Sequence, residues 1–161
     1  MIDHREVSEV ESLEVKLLEK NASFSEITNH YAKFLLDLVQ GEVLGNLIRD
    51  REKRIAAAYL KMVPIIDDIK SPRLTRRQVL ARLWHLEKVA RKSNAAFSAL
   101  VRCVICCFGS EGQWLQDDIR DETPLYVYLF FLKIVGPELE KYFIEYFGRV
   151  GGHLMACECD T

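Results

Sequence analysis

The feature that most constrains the fold is the run from Ala95 to Phe108, which leaves almost no polar face. A helix that is apolar around its whole circumference is typical of the interior of a helical domain. This run and the stretch from Pro124 to Val135 both fall short of the roughly 18 apolar residues that a membrane-spanning helix needs. We therefore predict a central helix over 95–108, enclosed by other helices, and no transmembrane segment.

Most of the remaining chain repeats apolar residues at intervals of three and four, which is the period of an amphipathic helix. Gly136-Pro137 either divides the last such region into two helices or kinks a single helix there. Helix starts are indicated by capping residues, which are Ser23 with Glu26, Thr75 with Gln78, Asn94, and Thr123 before Pro124. Because no segment alternates strictly between apolar and polar residues, strands are not expected. We predict an all-α, single-domain bundle of about six to seven helices around the apolar central helix 95–108.

The size and composition of the chain suit one hydrophobic core. It has 161 residues, of which 49% are hydrophobic and 29% charged, and its formal net charge is -2. These values argue against intrinsic disorder, which combines low hydrophobicity with a strong charge imbalance. We predict a helical globular domain over 1–150 and a flexible C-terminal tail over 151–161, where Gly151 and Gly152 weaken helical structure.

The cysteines predict a reducing compartment, the cytoplasm or the nucleus, because their number is odd and three lie in the apolar run. They are Cys103, Cys106, Cys107, Cys157 and Cys159. The charged N-terminal residues predict no signal peptide. Thiols one helical turn apart in an apolar helix behave as small hydrophobic side chains. We therefore predict no metal site.

No catalytic constellation is recognisable along the chain. The four histidines are widely spread, and the glycine-rich phosphate-binding motifs are missing from the sequence. We predict no catalytic residue and no cofactor, and we regard the protein as a non-enzyme rather than an enzyme. An enzyme whose residues converge only in three dimensions stays open as an alternative.

The distribution of charge is more informative than its total. Between Lys70 and Lys92 eight basic residues accompany the single acid Glu87, whereas acids outnumber bases between Ser110 and Glu145. The leading hypothesis is a non-enzymatic protein–protein interaction or regulatory adaptor module that uses these polarised surfaces. The predicted partner-binding residues are Arg73, Arg76, Arg77, Arg82, Lys88, Asp117 and Asp118. An acidic partner protein or self-association of the basic half with the acidic half would explain the same asymmetry, and a nucleic acid or an anionic membrane is less favoured because the chain is slightly acidic.

Two family resemblances bear on these hypotheses. The stretch around His85, with Leu80 and Leu83 before it and Phe97 after it, resembles the region of globins that carries the haem-binding histidine. That resemblance implies a small-molecule or haem-binding helical domain with His85 as ligand, although a distal histidine is missing upstream. An apolar helix wrapped by amphipathic ones is also similar to Bcl-2-type apoptosis regulators, but their Asn-Trp-Gly-Arg signature is missing, and we assign no family.

Aromatic residues crowd the C-terminal third of the chain, and core packing is the interpretation we favour for them. A groove for a partner helix is the alternative, which would leave part of the aromatic stripe exposed. The residues are Tyr126, Tyr128, Phe130, Phe131, Tyr142, Phe143, Tyr146 and Phe147.

Overall fold

The computed structural model describes residues 4–66, 75–109 and 124–159, and these ranges contain helices and no strand. The predicted all-α bundle is confirmed. Short 3-10 turns lie at Gly45–Leu47, Val63–Ile65 and Pro137–Leu139. The α-helices of the described ranges are α1 (His4–Glu19), α2 (Phe24–Gln40), α3 (Asp50–Met62), α4 (Arg76–Ala90), α5 (Ala95–Cys106), α6 (Pro124–Val135) and α7 (Glu140–Cys159).

Capping residues begin three of these helices where the sequence indicates. The Ser23 hydroxyl accepts the Glu26 backbone N–H at 3.1 Å at the start of α2. At the start of α4, the Thr75 hydroxyl accepts the Gln78 N–H at 3.2 Å, and the Gln78 side chain accepts the Thr75 N–H at 2.8 Å. Asn94 caps α5 by accepting two backbone N–H groups. Each cap satisfies amides that have no partner within the helix.

Glycine and proline separate several of the helices. Helix α2 ends at Gly41, and Gly45 has a φ of 53° in the turn that follows, a left-handed conformation that glycine adopts without steric cost. Pro64 lies in the 3-10 turn that follows α3. Gly136 and Pro137 divide α6 from α7, which is the first of the two predicted alternatives. Thr123, the predicted cap of α6, lies outside the described residues.

Helix α5 is the central helix. It packs against α2, α3, α4 and α6, and eight of its residues, from Phe97 to Ile105, are buried. Helix α1 packs on α6 and α7 instead. Cys107 and Phe108, which follow α5, are buried too. The prediction that 95–108 lies at the centre of the bundle is therefore confirmed.

Aromatic residues join the N-terminal helices to the C-terminal ones. The rings of Tyr31 and Tyr128 stack with centroids 4.1 Å apart and planes at 4°. The Tyr31 hydroxyl donates to the Tyr128 carbonyl at 3.0 Å, and the Thr28 and Tyr128 hydroxyls lie 3.1 Å apart. Burial raises the pKa of both phenols, which stay neutral. Phe143 and Phe147 are also fully enclosed, so much of the aromatic stripe is core.

The C-terminal helix extends further than the glycines suggest. Helix α7 runs from Glu140 to Cys159, so the backbone of 151–159 is helical. The boundary at residue 150 and the flexibility of 151–161 stay predictions.

Candidate docking surface

Arg76, one of the predicted partner-binding residues, has a structural contact. Its guanidinium donates to the Phe108 carbonyl at 2.8 Å, and its side chain is half-buried. Phe108 follows the last turn of α5, where carbonyl groups lack helical partners. Arg76 thus links the start of α4 to the end of the central helix. Its role in partner binding remains a prediction.

The other predicted residues on α4 do not share one face. Arg77, Arg82, His85 and Lys88 are all exposed. At about 100° per residue, Arg77 and Lys88 lie within about 20° of each other around the helix, while Arg82 lies about 120° or more from both. Arg73, Asp117 and Asp118 lie outside the described residues. Of the described predicted residues, only Arg77 and Lys88 therefore lie on the same side of α4, about three turns apart along its axis.

His85 lies on the exposed side of α4. An open cavity of about 870 Å³ lies elsewhere, between the end of α2 and the exposed side of α3, where charged side chains such as Asp50, Lys53 and Lys61 line it. A haem site ordinarily surrounds the ring with apolar side chains. The haem role of His85 remains a prediction.

The exposed Trp84 lies on the same side of α4 as Arg77 and Lys88, and it contacts a residue that sequence reasoning missed. The guanidinium carbon of Arg102 lies 4.9 Å from the centre of the Trp84 ring and 4.7 Å from that of Phe131. Arg102 is the one charged residue of α5. A guanidinium held between two aromatic faces gains cation–π attraction and loses freedom of rotation. The two rings therefore restrict the orientations that the Arg102 side chain can adopt.

Beneath Arg102 lies a buried carboxylate. Glu87 is 2% exposed and accepts two hydrogen bonds from Arg91, each at 2.7 Å, and a third from the Ser98 hydroxyl at 3.2 Å. The hydrogen bonds from Arg91 are the largest cause of the lowered pKa of Glu87, and the hydrogen bond from Ser98 and the nearby charge of Arg102 lower it further. Glu87 lies 4.0 Å from Arg102, beyond hydrogen-bond distance. Glu87 therefore attracts the Arg102 guanidinium but accepts no hydrogen bond from it.

Helix α6 presents an apolar face to solvent. Phe130 and Ile134 are 56% and 54% exposed, and Trp84, which is linked to α6 through Arg102 of α5, is 44% exposed. Val127 and Phe131 are half-buried. Positions 127, 130, 131 and 134 follow the three-to-four spacing that puts them on one side of a helix. We call Trp84, Arg102, Val127, Phe130, Phe131 and Ile134 the aromatic face.

In the described helices next to the aromatic face, basic residues outnumber acidic ones, and Arg77 and Lys88 lie on the same side of α4 as Trp84. The basic residues of α4, α5 and α6 are Arg76, Arg77, Arg82, Lys88, Arg102 and Lys133. The one acidic residue in these three helices is the buried Glu87. Glu140, at the start of α7, lies 4.0 Å from Lys133. The surface that these three helices provide is therefore cationic, although the whole chain is slightly acidic.

Comparison with models of protein families, with curated proteins and with solved structures found no match. Within the described ranges, no helix combines the length and apolar character needed to cross a membrane. In the same part of the chain, no three His, Cys, Asp or Glu side chains gather in a way that could hold a metal ion. Burial raises the pKa of the Cys103 thiol to about 12, which keeps it protonated at neutral pH.

Two signals in the sequence point to the aromatic face. Arg102 interrupts a helix that is otherwise apolar, and a charge in such a position must reach either solvent or a partner group. Helix α6 is apolar around almost its whole circumference, with Lys133 as its one charged residue, and such a pattern normally indicates burial. The pattern gives no information on which side of α6 the other helices cover. The exposure of Phe130 and Ile134 therefore required the structure.

Proposed function

We propose that this protein is a non-enzymatic interaction module, acting as a regulatory adaptor, that binds a protein partner through the aromatic face. The observation that carries the proposal is the exposed apolar stripe of α6 beside the stacked Arg102. Contiguous exposed apolar side chains are costly to hydrate, and on soluble proteins they often mark interaction sites.

The composition of the aromatic face supports this proposal. Tryptophan and arginine are enriched among the residues that contribute most to binding energy at protein interfaces, and phenylalanine is enriched at interfaces generally. Trp84, Phe131 and Arg102 also hold one another in place. Side chains that are ordered before binding lose less conformational entropy when a partner arrives. Such a surface is suited to docking.

Four groups with shifted pKa values have surroundings that fit a structural role. Tyr31, Tyr128 and Cys103 are enclosed in the core, and Glu87 is occupied by Arg91 and Ser98. Catalytic groups need contact with a substrate in a cleft.

A cytoplasmic or nuclear location is part of the proposal, and it rests on the odd number of cysteines.

The test compares proteins that co-purify with the full chain and with two variants in extracts of cells that express it. The double variant Phe130→Glu/Ile134→Glu places two carboxylates on the aromatic face. The control variant Val15→Glu places a carboxylate at an exposed position of α1, outside that face. Burying a charge in an apolar contact costs several kcal/mol, so we expect binding to fall about tenfold or more in the double variant. Val15→Glu should retain the partners.

Equal thermal unfolding of the three proteins shows that the substitutions leave the fold intact. If the double variant retains its co-purifying partners to the same extent as Val15→Glu, the aromatic face has no docking role.

A further inference from the structure

We infer that the occupant of the aromatic face is an acidic amphipathic helix of another protein, one carboxylate of which binds Arg102. This inference rests on the proposed function and names the chemistry of the partner. It follows from the shape of the α6 stripe, from the contacts of Arg102 and from the surrounding charge.

The stripe has the dimensions of a helix-binding site. From Val127 to Ile134 it spans eight residues, which corresponds to about two helical turns and about 10 Å. An α-helix docks on another by placing apolar residues at i, i+3, i+4 and i+7 against such a stripe. Phe130 and Ile134, one turn apart and both half-exposed, are the natural contact points. Two turns of a partner helix would cover them.

Arg102 is prepared to receive an anion. Its side chain is 34% exposed, and the rings of Trp84 and Phe131 cover it on two sides. The Glu87 carboxylate accepts two hydrogen bonds from Arg91, and its nearest oxygen lies 4.0 Å from the Arg102 guanidinium. A guanidinium carries five N–H donors and matches a carboxylate in two-bond geometry. A carboxylate from a partner supplies the acceptor that Glu87 does not.

The charge around the stripe separates this occupant from a second copy of the chain. A two-fold dimer built on the aromatic face would bring the Arg77, Lys88 and Arg102 of each copy near those of the other. Like charges brought together across an interface cost free energy, whereas glutamates and aspartates along a partner helix would be attracted. The electrostatics therefore favour an acidic partner.

The contacts of Arg102 also favour a partner helix over an anionic membrane as the occupant of the aromatic face. A flat layer of headgroups binds side chains that project, but Arg102 is recessed between two rings. A single carboxylate on a helix can reach the recessed guanidinium.

The test uses the full chain and two designed, fluorescently labelled helical peptides of about 15 residues, long enough to cover the stripe. Both carry leucine at i, i+3, i+4 and i+7, and the other positions are mainly glutamate in one peptide and lysine in the other. Fluorescence anisotropy is measured at about 50 mM and about 500 mM salt, where screening differs strongly. We expect the acidic peptide to bind, and to bind at least about tenfold more weakly at high salt.

Variants locate the contact. Arg102→Gln and Phe130→Glu should each weaken binding of the acidic peptide by about tenfold or more. Arg102→Lys keeps the charge but loses the planar fork, so it should weaken binding less than Arg102→Gln. Arg82→Gln, which removes the same charge from the other side of α4, is the matched control and should leave binding within about twofold.

In the peptide assay, two results would overturn the inference: equal binding of the lysine peptide, or equal losses of binding in Arg102→Gln and Arg82→Gln. A dimer in sedimentation that Phe130→Glu dissociates would show that a second copy occupies the face. Flotation with phosphatidylserine vesicles that Phe130→Glu abolishes would show that a membrane does, and either result would also overturn the inference. If the acidic peptide fails while co-purifying proteins are lost in Phe130→Glu/Ile134→Glu, the partner chemistry is wrong and the proposed function stands. If no co-purifying protein depends on those positions either, both are wrong.

Discussion

Replacing Glu87 by glutamine removes the negative charge at the centre of the α4–α5 contact. The buried carboxylate accepts hydrogen bonds from Arg91 and Ser98. A hydrogen bond to a charged group contributes about 1.5–3 kcal/mol. The Arg91 side chain is 59% exposed and regains water in the variant, and a neutral amide costs less to bury. We therefore expect Glu87→Gln to lower the free energy of unfolding by about 1–2 kcal/mol.

Urea and thermal unfolding at neutral pH measure this difference, which corresponds to about 2–8 °C in Tm for a chain of this length. Because the folded pKa of Glu87 lies below its ordinary value of 4.5, its contribution is present above that value and is lost as pH falls through the lowered pKa. The free energies of unfolding of wild type and variant should therefore converge as the pH falls through the lowered pKa of Glu87. Glu11→Gln, at an exposed site on α1, is the control. Equal stability at pH 7, or a difference that persists at acid pH, would refute this reasoning.

Three further substitutions test other contacts. Asn94→Ala removes the cap of α5 and should cost about 1–2 kcal/mol in urea unfolding, and an unchanged midpoint would contradict the capping role. Tyr128→Phe removes the hydroxyl contact with Thr28 and should cost about 1 kcal/mol, with no loss when Thr28 is already valine. Arg76→Glu should lower stability by about 1–2 kcal/mol because it breaks the hydrogen bond to the Phe108 carbonyl, whereas Arg77→Glu should change it by less than about 0.5 kcal/mol. Equal effects of the two reversals would contradict the structural role of Arg76.

Local chemistry explains why much of the fold is predictable. Ser23, Thr75 and Asn94 begin helices because their side chains satisfy exposed amides, and that chemistry depends on a few neighbouring residues. The apolar run 95–108 predicts its own burial, because no face of it favours water. These signals need no knowledge of distant contacts.

The site depends on contacts between distant parts of the chain. Arg76 meets the end of α5 at Phe108, 32 residues later, and no local pattern predicts that contact. The same holds for Arg102, which lies between Trp84 and Phe131. A count of basic residues between 70 and 92 shows the positive charge but not its orientation, because Arg82 lies on a different side of α4 from Arg77 and Lys88. Composition alone therefore cannot separate a docking residue from a structural one.

The most direct measurement is photo-crosslinking with benzoylphenylalanine placed at Phe130 in the full chain, inside cells that express it. The matched control carries the same group at Val15, which is similarly exposed on α1. Our account predicts a discrete crosslinked partner from position 130 only, and mass spectrometry should place the link in an acidic helical segment of that partner. Crosslinks of equal yield from both positions, or none from position 130, would contradict the claim that the aromatic face is a docking surface.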